Sequence, residues 1–278
     1  MNYATIEIEQ HDAVRRIWLA RDSARNAQSQ QMLDELDHAL SEAAADDGVR
    51  VVVIGGRGQH FSAGHDLKEA QAKRANFTVE ERWAYESLRY FDYCMRIWDF
   101  PKPTIAQVQG ACVSGGFMIA NMCDLVVASE SAYFSDPVGQ TLGAAATEVL
   151  IHPWVMGVRK AKEMLFAGGR VDAAEALRIG MVNRVVPDAE LTAQTDELAA
   201  HIAQAPPFGL RLIKRSLNRT LDSQGLRAAL SAHFDTHQLS HLSEGFLRAR
   251  DAGLAKAIVR SPSNEVRNEE SLNHGAQA

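Results

Sequence analysis

The chain opens with two short stretches in which apolar and polar side chains alternate, residues 3–9 and 14–19. A period of two predicts half-buried β-strands, and the short break between them predicts a hairpin. The next apolar stretch, residues 51–54, has no polar position and ends at Gly55 and Gly56. Such a continuous run predicts a strand buried on both faces of a parallel sheet. Further strands are predicted at 104–108, 125–128 and 183–186.

Apolar residues recur at helical spacing between these strands. In residues 29–45 they fall at Met32, Leu33, Leu36 and Leu40, and Ser29 can cap this helix. Other helices are predicted at 79–98, 117–122, 158–166 and 173–179. From residue 191 onward the pattern is helical throughout, with helices at 191–203, 207–221, 224–240 and 243–251.

This order predicts an α/β core over residues 1–200 and a helical C-terminal region over residues 201–255. Residues 256–278 are rich in polar side chains and lack an apolar period, which predicts a mobile tail.

Composition excludes several classes of protein. The formal net charge is -6, so no basic field attracts nucleic acid. No apolar run is long enough to span a membrane, and the first residues are not those of a signal peptide. The 3 cysteines have no metal-ligand spacing, and an odd number fits no closed set of disulfides. We therefore expect a cytoplasmic protein with neither a membrane nor a nucleic-acid partner.

Two glycine turns carry the candidate chemistry. The apolar run at 51–54 leads into the sequence FSAGHDLK at residues 61–68, and the strand at 104–108 leads into GACVSGG at residues 110–116. Each unit predicts a strand, a turn and a helix. Together they can aim the backbone N–H groups of His65 and Gly115 at one point, where they would bind a carbonyl oxygen. The pair predicts an enzyme that acts on an acyl group.

The sequences FSAGHDLKE and PKPTIAQVQGACVSGG, at this separation, resemble the crotonase (enoyl-CoA hydratase/isomerase) superfamily. The resemblance continues through CDLVVAS and FSDP and through residues 161–187, and it spans the chain from Tyr3 to about Gly253. It implies an α/β fold with a ββα spiral core and a helical C-terminal layer that makes a homotrimer or a dimer of trimers. It also implies an acyl-CoA thioester substrate, whose enolate is held by the N–H groups of His65 and Gly115. Coenzyme A would enter as part of the substrate, with no separate cofactor.

The resemblance also implies a coenzyme A site at the N-terminal loop. Residues 21–27 match the family's CoA-binding segment, in which a basic side chain at Arg25 meets phosphate. Ala63, Asp66 and Leu67, beside the first turn, complete the predicted set. Taken alone, Arg25 also fits a solvated loop charge, and Asp66 also fits a residue that sets turn geometry.

The two glutamates that family hydratases use are missing at the matching positions, which hold Met118 and Val138. Neither side chain can move a proton, so another group must. Glu148 and His152 are four residues apart and are predicted to share one helical face, where either could act as acid or base. A solvent-facing Glu148 and a His152 packed in the fold are the alternative. Asp136, before Pro137, is interpreted as a turn residue.

Three readings of the activity remain open. The first is enolate chemistry of the hydratase/isomerase type. The second is decarboxylation or thioester hydrolysis; decarboxylases of the superfamily also carry SAGHD, but they pair its histidine with a tyrosine after Pro137, and residues 138–146 contain none. The third is an inactive acyl-CoA-binding protein.

His233, His237 and His241 recur every four residues, a spacing that suggests a metal site. No carboxylate lies at matching spacing on that face. We therefore expect no metal, and a stripe of histidines at a subunit interface or on the surface.

Overall fold

The computed structural model describes residues 2–259. Residues 254–259 form a helix, which overlaps the first residues of the predicted tail. The remainder of that predicted tail lies outside the described residues.

A six-stranded sheet forms the centre of the core, in the order β1-β2-β3-β4-β6-β9. Its strands are β1 (Ile6–His11), β2 (Val14–Leu19), β3 (Val51–Gly56), β4 (Thr104–Val108), β6 (Leu125–Ser129) and β9 (Arg184–Val186). β1 and β2 form the predicted antiparallel hairpin, and every later pairing is parallel. All six residues of β3 are buried, as an uninterrupted apolar strand requires.

A second, three-stranded sheet was not predicted. It contains β5 (Ala111–Val113), β7 (Tyr133–Ser135) and β8 (Arg170–Asp172). Each strand has only three residues, which is too short for an alternating pattern to stand out in the sequence. β5 leads directly into the second glycine turn, so this small sheet helps to fix the position of that turn.

The helices of the core agree with the predicted segments except at two places. They are α1 (Gln30–Ala45), α2 (Leu67–Arg74), α3 (Val79–Glu86), α4 (Asp92–Trp98), α5 (Gly115–Met122), α6 (His152–Met156), α7 (Val158–Ala167) and α8 (Ala173–Arg178). The Ser29 side chain accepts from the Met32 N–H and caps α1. A π-helical turn, Ser87–Phe91, separates α3 from α4 where one helix was predicted.

The second difference concerns Glu148 and His152. The chain is not helical from residue 147 to residue 151, and α6 begins only at His152. The prediction that these two side chains share a helical face is therefore wrong. The segment before them forms a 3-10 turn, Gly143–Ala146, which leaves the position of Glu148 to be set by tertiary contacts.

The C-terminal region is helical, as predicted: α9 (Leu191–Ala203), α10 (Pro207–Ser223), α11 (Leu226–Ser240), α12 (Glu244–Ala252) and α13 (Leu254–Val259). α10 exposes large apolar side chains at Phe208, Leu212, Ile213 and Leu217. An apolar face of this kind is typical of a contact surface. A homotrimer or a dimer of trimers remains a prediction.

Candidate active site

The first glycine turn is tied to the N-terminal loop by three backbone hydrogen bonds. The Ala63 N–H donates to the Arg25 carbonyl at 2.9 Å, the Gln28 N–H to the Gly64 carbonyl at 2.8 Å, and the Asp66 N–H to the Gln28 carbonyl at 3.0 Å. Gly64 has a φ of 87°, which side-chain-bearing residues rarely adopt. The turn that carries His65 therefore depends on contacts with a loop about forty residues earlier.

The second turn contains a strained residue. Ser114 has φ 48° and ψ -114° although it is not glycine. Strain of this kind costs on the order of 1–3 kcal/mol and persists only where neighbouring contacts enforce it. Here the Ser114 N–H donates to the Ser135 carbonyl at 3.0 Å, and the Ser114 hydroxyl donates to the buried Asp136 carboxylate at 2.9 Å. These bonds fix the backbone immediately before Gly115.

The two turns approach each other closely. A Cβ added to Gly64 would lie 3.2 Å from the Gly115 nitrogen and 2.8 Å from the Val113 carbonyl oxygen. Within residues 2–259, neither the His65 N–H nor the Gly115 N–H donates a hydrogen bond to the protein. Both amides therefore lack a hydrogen-bond partner within the described residues.

The His65 imidazole meets the Glu148 carboxylate beside these amides. His65 Nε2 lies 3.3 Å from Glu148 Oε1, and the exposed fractions of the two side chains are 13% and 3%. The contact has ion-pair distance without the alignment of a strong hydrogen bond. A Cβ added to Gly115 would lie 2.8 Å from Cε1 of the His65 ring, so the imidazole sits directly against the second turn. The structure thus brings together three of the four predicted catalytic residues: His65, Gly115 and Glu148.

Two effects oppose each other at Glu148. Burial raises the pKa of its carboxyl group, because the charged form loses hydration. The contact with His65 and the charge of His237 favour the charged form, and together they outweigh burial and lower the pKa of Glu148 to about 2. Glu148 is therefore a carboxylate at neutral pH although it is almost completely buried.

Tyr90 holds the other face of the imidazole. The His65 and Tyr90 rings stack at a centroid distance of 3.9 Å and an interplanar angle of 20°. The Tyr90 hydroxyl accepts from Arg74 Nη2 at 3.3 Å, and the edge of Tyr85 packs against Tyr90. His65 is thus paired with a tyrosine, but that tyrosine comes from the π-helical turn and not from the segment after Pro137.

A cavity of about 10 Å³ lies beside His65 and Gly115, and Gln28, Tyr90, Tyr93 and Met118 help to line it. This volume holds about one water molecule. Several polar atoms of the residues that line the cavity have no hydrogen-bond partner within the described part of the chain. They are Gln28 Oε1, the Tyr93 hydroxyl and both ring nitrogens of His65. Buried polar groups normally find a partner, so this wall is ready to receive a polar ligand.

His152, the fourth predicted catalytic residue, belongs to a different pair. Its Nε2 lies 3.0 Å from Asp136 Oδ2, and both side chains have no exposed surface. The imidazole stacks on Phe117 at 4.5 Å. The same Asp136 carboxylate accepts from Ser114, so this pair supports the turn that carries Gly115. Asp136 is a buried bridging residue as well as the residue before a proline turn.

The predicted coenzyme A residues occupy one region, with different contacts. Arg25 is exposed, in a left-handed backbone conformation. The Asp66 side chain accepts from the Glu69 N–H at 3.0 Å, which caps α2, and from Arg21 Nη2 at 3.0 Å. Leu67 packs against an apolar cluster formed by Leu142, Ala145, Phe246 and Leu254. Ala63 and Arg25 are joined by the backbone bond described above, so the loop and the first turn form one surface.

The predicted histidine stripe is buried or partly buried, and Glu86 gives His237 and His241 a carboxylate partner. His237 is fully buried, His241 is 6% exposed and His233 is partly buried. Glu86, from the end of α3, places its carboxylate 2.9 Å from His237 Nε2 and 3.7 Å from His241 Nε2. The expectation of a surface or interface stripe is wrong because a residue about 150 positions earlier folds against the helix.

Glu86, His237 and His241 offer three potential ligand atoms within 4.8 Å of one another. The Glu86 carboxylate also accepts from Gln238 at 2.8 Å and from Arg82 at 3.2 Å. These donors, one of them cationic, occupy oxygens that a metal ion would need. That the protein uses no metal here stays a prediction.

Sequence reasoning missed Gln28, Tyr90 and Glu86. Gln28 and Glu86 are polar residues at 1% and 5% exposure, in stretches whose local pattern gives no sign of burial. Tyr90 was predicted only as part of the helix at 79–98. The sequence indicates burial of such a polar residue only through the apolar residues at helical spacing beside it. It does not indicate which residue of another element will be its partner.

Comparison with known proteins decides the family. The enoyl-CoA hydratase/isomerase family model matches residues 9–248. This chain belongs to the enoyl-CoA hydratase/isomerase family. EchA13 of Mycobacterium tuberculosis, which carries the name of an enoyl-CoA hydratase, is 44% identical over 246 residues, which cover 82% of this chain and 77% of that protein. The crystal structure of an enoyl-CoA hydratase/isomerase from Xanthobacter autotrophicus Py2 matches with a TM-score of 0.86 and 37% identity, covering 93% and 97% of the two chains.

A related branch is also similar. 4-Chlorobenzoyl coenzyme A dehalogenase-2 of an Arthrobacter species is 33% identical over 224 residues, which cover 78% of this chain and 80% of that protein. These relatives confirm the crotonase superfamily, the α/β fold class and an acyl-CoA-processing enzyme of the hydratase/isomerase type. Within residues 2–259, no helix is both long and apolar enough to cross a membrane.

Proposed function

We propose that the protein binds an acyl-CoA thioester with its carbonyl oxygen on the N–H groups of His65 and Gly115, and that Glu148, paired with His65, transfers the proton. The observation that carries this proposal is a buried carboxylate 3.3 Å from an imidazole whose own backbone amide is one of the two free donors. Two fixed donors stabilise a carbonyl oxygen most as negative charge develops on it.

The carbonyl site and the proton-transfer group are then adjacent. An enolate forms when a base removes a proton from the carbon next to the thioester carbonyl, and the two amides hold the resulting oxyanion. Glu148 carries a negative charge at neutral pH. Its basicity in the complex depends on how far the ligand weakens its contact with His65, because that contact lowers its pKa.

Binding an acyl group requires side chains of the pocket to move. The cavity of about 10 Å³ admits no more than about one water molecule. Tyr90 and Tyr93 line it, and they come from the π-helical turn and α4. Rotamer changes of this kind are common when a ligand binds.

The hydratase reaction with two glutamates is not the reaction we expect. Met118 and Val138 are 1% and 5% exposed, and they stand where family hydratases have their two acids. A general acid or base typically contributes about 10²–10⁴-fold to a rate. We therefore expect slow or undetectable hydration of crotonyl-CoA. A turnover number typical of a two-glutamate hydratase would overturn this proposal.

A panel of thioesters tests the reaction class. Enoyl-, malonyl-type and aryl-CoA thioesters are incubated with the protein and with Glu148→Gln, and each is followed by mass spectrometry. Hydration adds the mass of water, decarboxylation removes carbon dioxide, hydrolysis releases free coenzyme A, and isomerisation leaves the mass unchanged but shifts retention. We expect one class to be converted by the wild-type protein and much more slowly by the variant.

Coenzyme A binding can be tested without turnover. We propose that Arg25, Ala63, Asp66 and Leu67 contribute to a surface that holds it, with Arg25 pairing to phosphate. Calorimetry with free coenzyme A and with an acyl-CoA should show binding that Arg25→Ala weakens and that rising salt weakens further. Absence of binding at millimolar ligand would contradict the proposal.

Aryl-CoA chemistry is the second candidate. The pocket wall carries the stacked rings of His65 and Tyr90, Tyr85 packs edge-on against Tyr90, and one similar protein is named as a 4-chlorobenzoyl-CoA dehalogenase. Preferential conversion of the aryl thioesters in the same panel would favour it.

A further inference from the structure

Two histidines of α11 contact the segment that ends at Glu148. His233 Nε2 lies 2.8 Å from the Thr147 carbonyl oxygen, and His237 Nδ1 lies 2.9 Å from the Ala144 carbonyl oxygen. A carbonyl only accepts, so each of these ring nitrogens carries the proton and donates. The two bonds hold both ends of a four-residue stretch immediately before the carboxylate.

His237 is itself held in place. Its Nε2 lies 2.9 Å from Glu86 Oε2, and this carboxylate also accepts from Gln238 and Arg82. Burial lowers the pKa of His237, but the bond to Glu86, the charges of Glu148 and Glu86 and the bond to Ala144 together outweigh burial, and the pKa is raised. Both ring nitrogens can then donate at once, one to Ala144 and one to Glu86.

The end of α3 thereby reaches both members of the His65–Glu148 pair. Glu86 fixes His237, which holds the segment leading to Glu148. The π-helical turn that follows Glu86 places Tyr90 on the His65 ring at 3.9 Å. Single π-helical turns are often found at functional sites. This one lies between Glu86, which contacts His237, and α4, and it carries Tyr90, which stacks on His65.

Apart from these two bonds the segment is held by packing, since Ala145 belongs to an apolar cluster with Phe246 and Leu254, and Val149 lies in the core. The segment consists of the 3-10 turn Gly143–Ala146, and the chain from residue 147 to residue 151 forms no helix or strand. A short turn of this kind does not by itself hold a side chain within the fraction of an ångström that proton transfer requires.

We infer that His233 and His237 are positioning residues, which hold residues 144–147 so that the Glu148 carboxylate meets His65. This inference rests on the proposed function, because it assigns the two histidines to the same reaction. It predicts that loss of either bond lowers kcat without a matching change in KM, since neither histidine contacts the predicted substrate site.

Matched pairs of variants separate positioning from packing. The amide nitrogen of glutamine reaches about as far as histidine Nε2, so His233→Gln keeps the donor to Thr147 and His233→Ala removes it. The amide nitrogen of asparagine replaces Nδ1, so His237→Asn keeps the donor to Ala144 and His237→Ala removes it. Asp235→Ala, at an exposed position of the same helix, is the control.

We expect His233→Ala and His237→Ala to lower kcat by about 10- to 100-fold, with KM within about threefold of wild type. His233→Gln and His237→Asn should recover most of the rate, and Asp235→Ala should be unchanged. Crystal structures of wild type and His233→Ala should show the distance between Glu148 and His65 increasing beyond 3.3 Å. That readout needs no substrate.

The outcomes are distinguishable. A Glu148→Gln variant that reacts at the wild-type rate overturns the proposed function. A slow Glu148→Gln together with full-speed alanine variants, or an unchanged distance in the His233→Ala crystal, overturns the positioning inference. If His237→Ala fails to fold because Glu86 loses its partner, His233→Ala decides alone, since His233 does not contact Glu86.

Discussion

Two of the buried carboxylate–imidazole pairs within residues 2–259 have nearly the same composition but different surroundings. Glu148 and His65 lie 3.3 Å apart with Tyr90 stacked on the imidazole, while Asp136 and His152 lie 3.0 Å apart with Phe117 stacked on the imidazole. His65 keeps 13% of its side chain exposed, whereas the second pair has no exposed surface.

The surroundings of the two pairs separate the proposed catalytic pair from the structural one. The first pair borders a small cavity and two amides without a protein partner, where we propose that a ligand binds once side chains of the pocket move. The second pair is enclosed, and its remaining carboxylate oxygen accepts from Ser114, the strained residue before Gly115. The same functional groups thus support a turn in one place, and in the other they are proposed to transfer a proton.

Replacing the accessible carboxylate should have the largest effect. Glu148→Gln keeps the shape and removes the charge, and we expect kcat to fall by about 10²–10⁴-fold, the usual contribution of a general acid or base. Steady-state kinetics on the thioester that the wild-type protein converts measure this. Glu130→Gln, at an exposed position, is the control and should keep the wild-type rate.

Removing the enclosed carboxylate should act mainly on stability. Asp136→Ala leaves His152 and Ser114 without their partner, and breaking a buried pair in this way costs about 3–5 kcal/mol. Urea unfolding followed by circular dichroism measures the loss. We expect kcat of the folded variant to fall by less than tenfold. A larger fall in kcat with unchanged stability would contradict the division between the two pairs.

The pair of Glu148 and His65 should make the free energy of unfolding depend on pH in the acid range. The pKa of Glu148 is about 2 in the folded protein against 4.5 for a model carboxyl group. A depressed pKa contributes stability that is present above about pH 4.5 and is lost as pH falls toward about 2. The contribution is on the order of 3 kcal/mol. The stability difference between wild type and Glu148→Gln should therefore shrink across that range, and parallel losses in both proteins would contradict it.

The stacked rings should give the smallest effect. Tyr90→Leu removes the ring beneath His65, and aromatic stacking contributes about 0.5–1.5 kcal/mol. We expect kcat/KM to fall between about twofold and tenfold, since the imidazole loses one constraint on its orientation. Tyr90→Phe keeps the stack and loses only the bond to Arg74, so it should stay near wild type. Equal losses in both variants would assign the effect to the hydroxyl.

Much of the fold followed from local patterns. The alternation at residues 3–9 and 14–19 predicted the hairpin, and the apolar run at 51–54 predicted a buried strand. The four longest C-terminal helices have the predicted order and nearly the predicted bounds. These features depend on neighbours within a few residues, so the sequence carries them directly.

The turns that present His65 and Gly115 were also predictable, because glycines that follow buried strands mark a sharp turn. The short strands of the second sheet were not, since three residues give no period. The prediction that Glu148 and His152 share a helical face was wrong because a spacing of four residues gives a common face only where the backbone is helical.

By itself, the sequence determined the order of the elements, the two glycine turns and the apolar residues at Met118 and Val138, because each is a property of neighbouring residues. Only the tertiary structure decided the partners: Glu148 with His65, Asp136 with His152, and Glu86 with His237. A buried charge is tolerated when a partner offsets its lost hydration, and here each partner comes from a different element: those of Glu148 and Glu86 lie far away in the chain, and that of Asp136 lies beyond the next turns. Pairing across the fold therefore assigned each carboxylate its role.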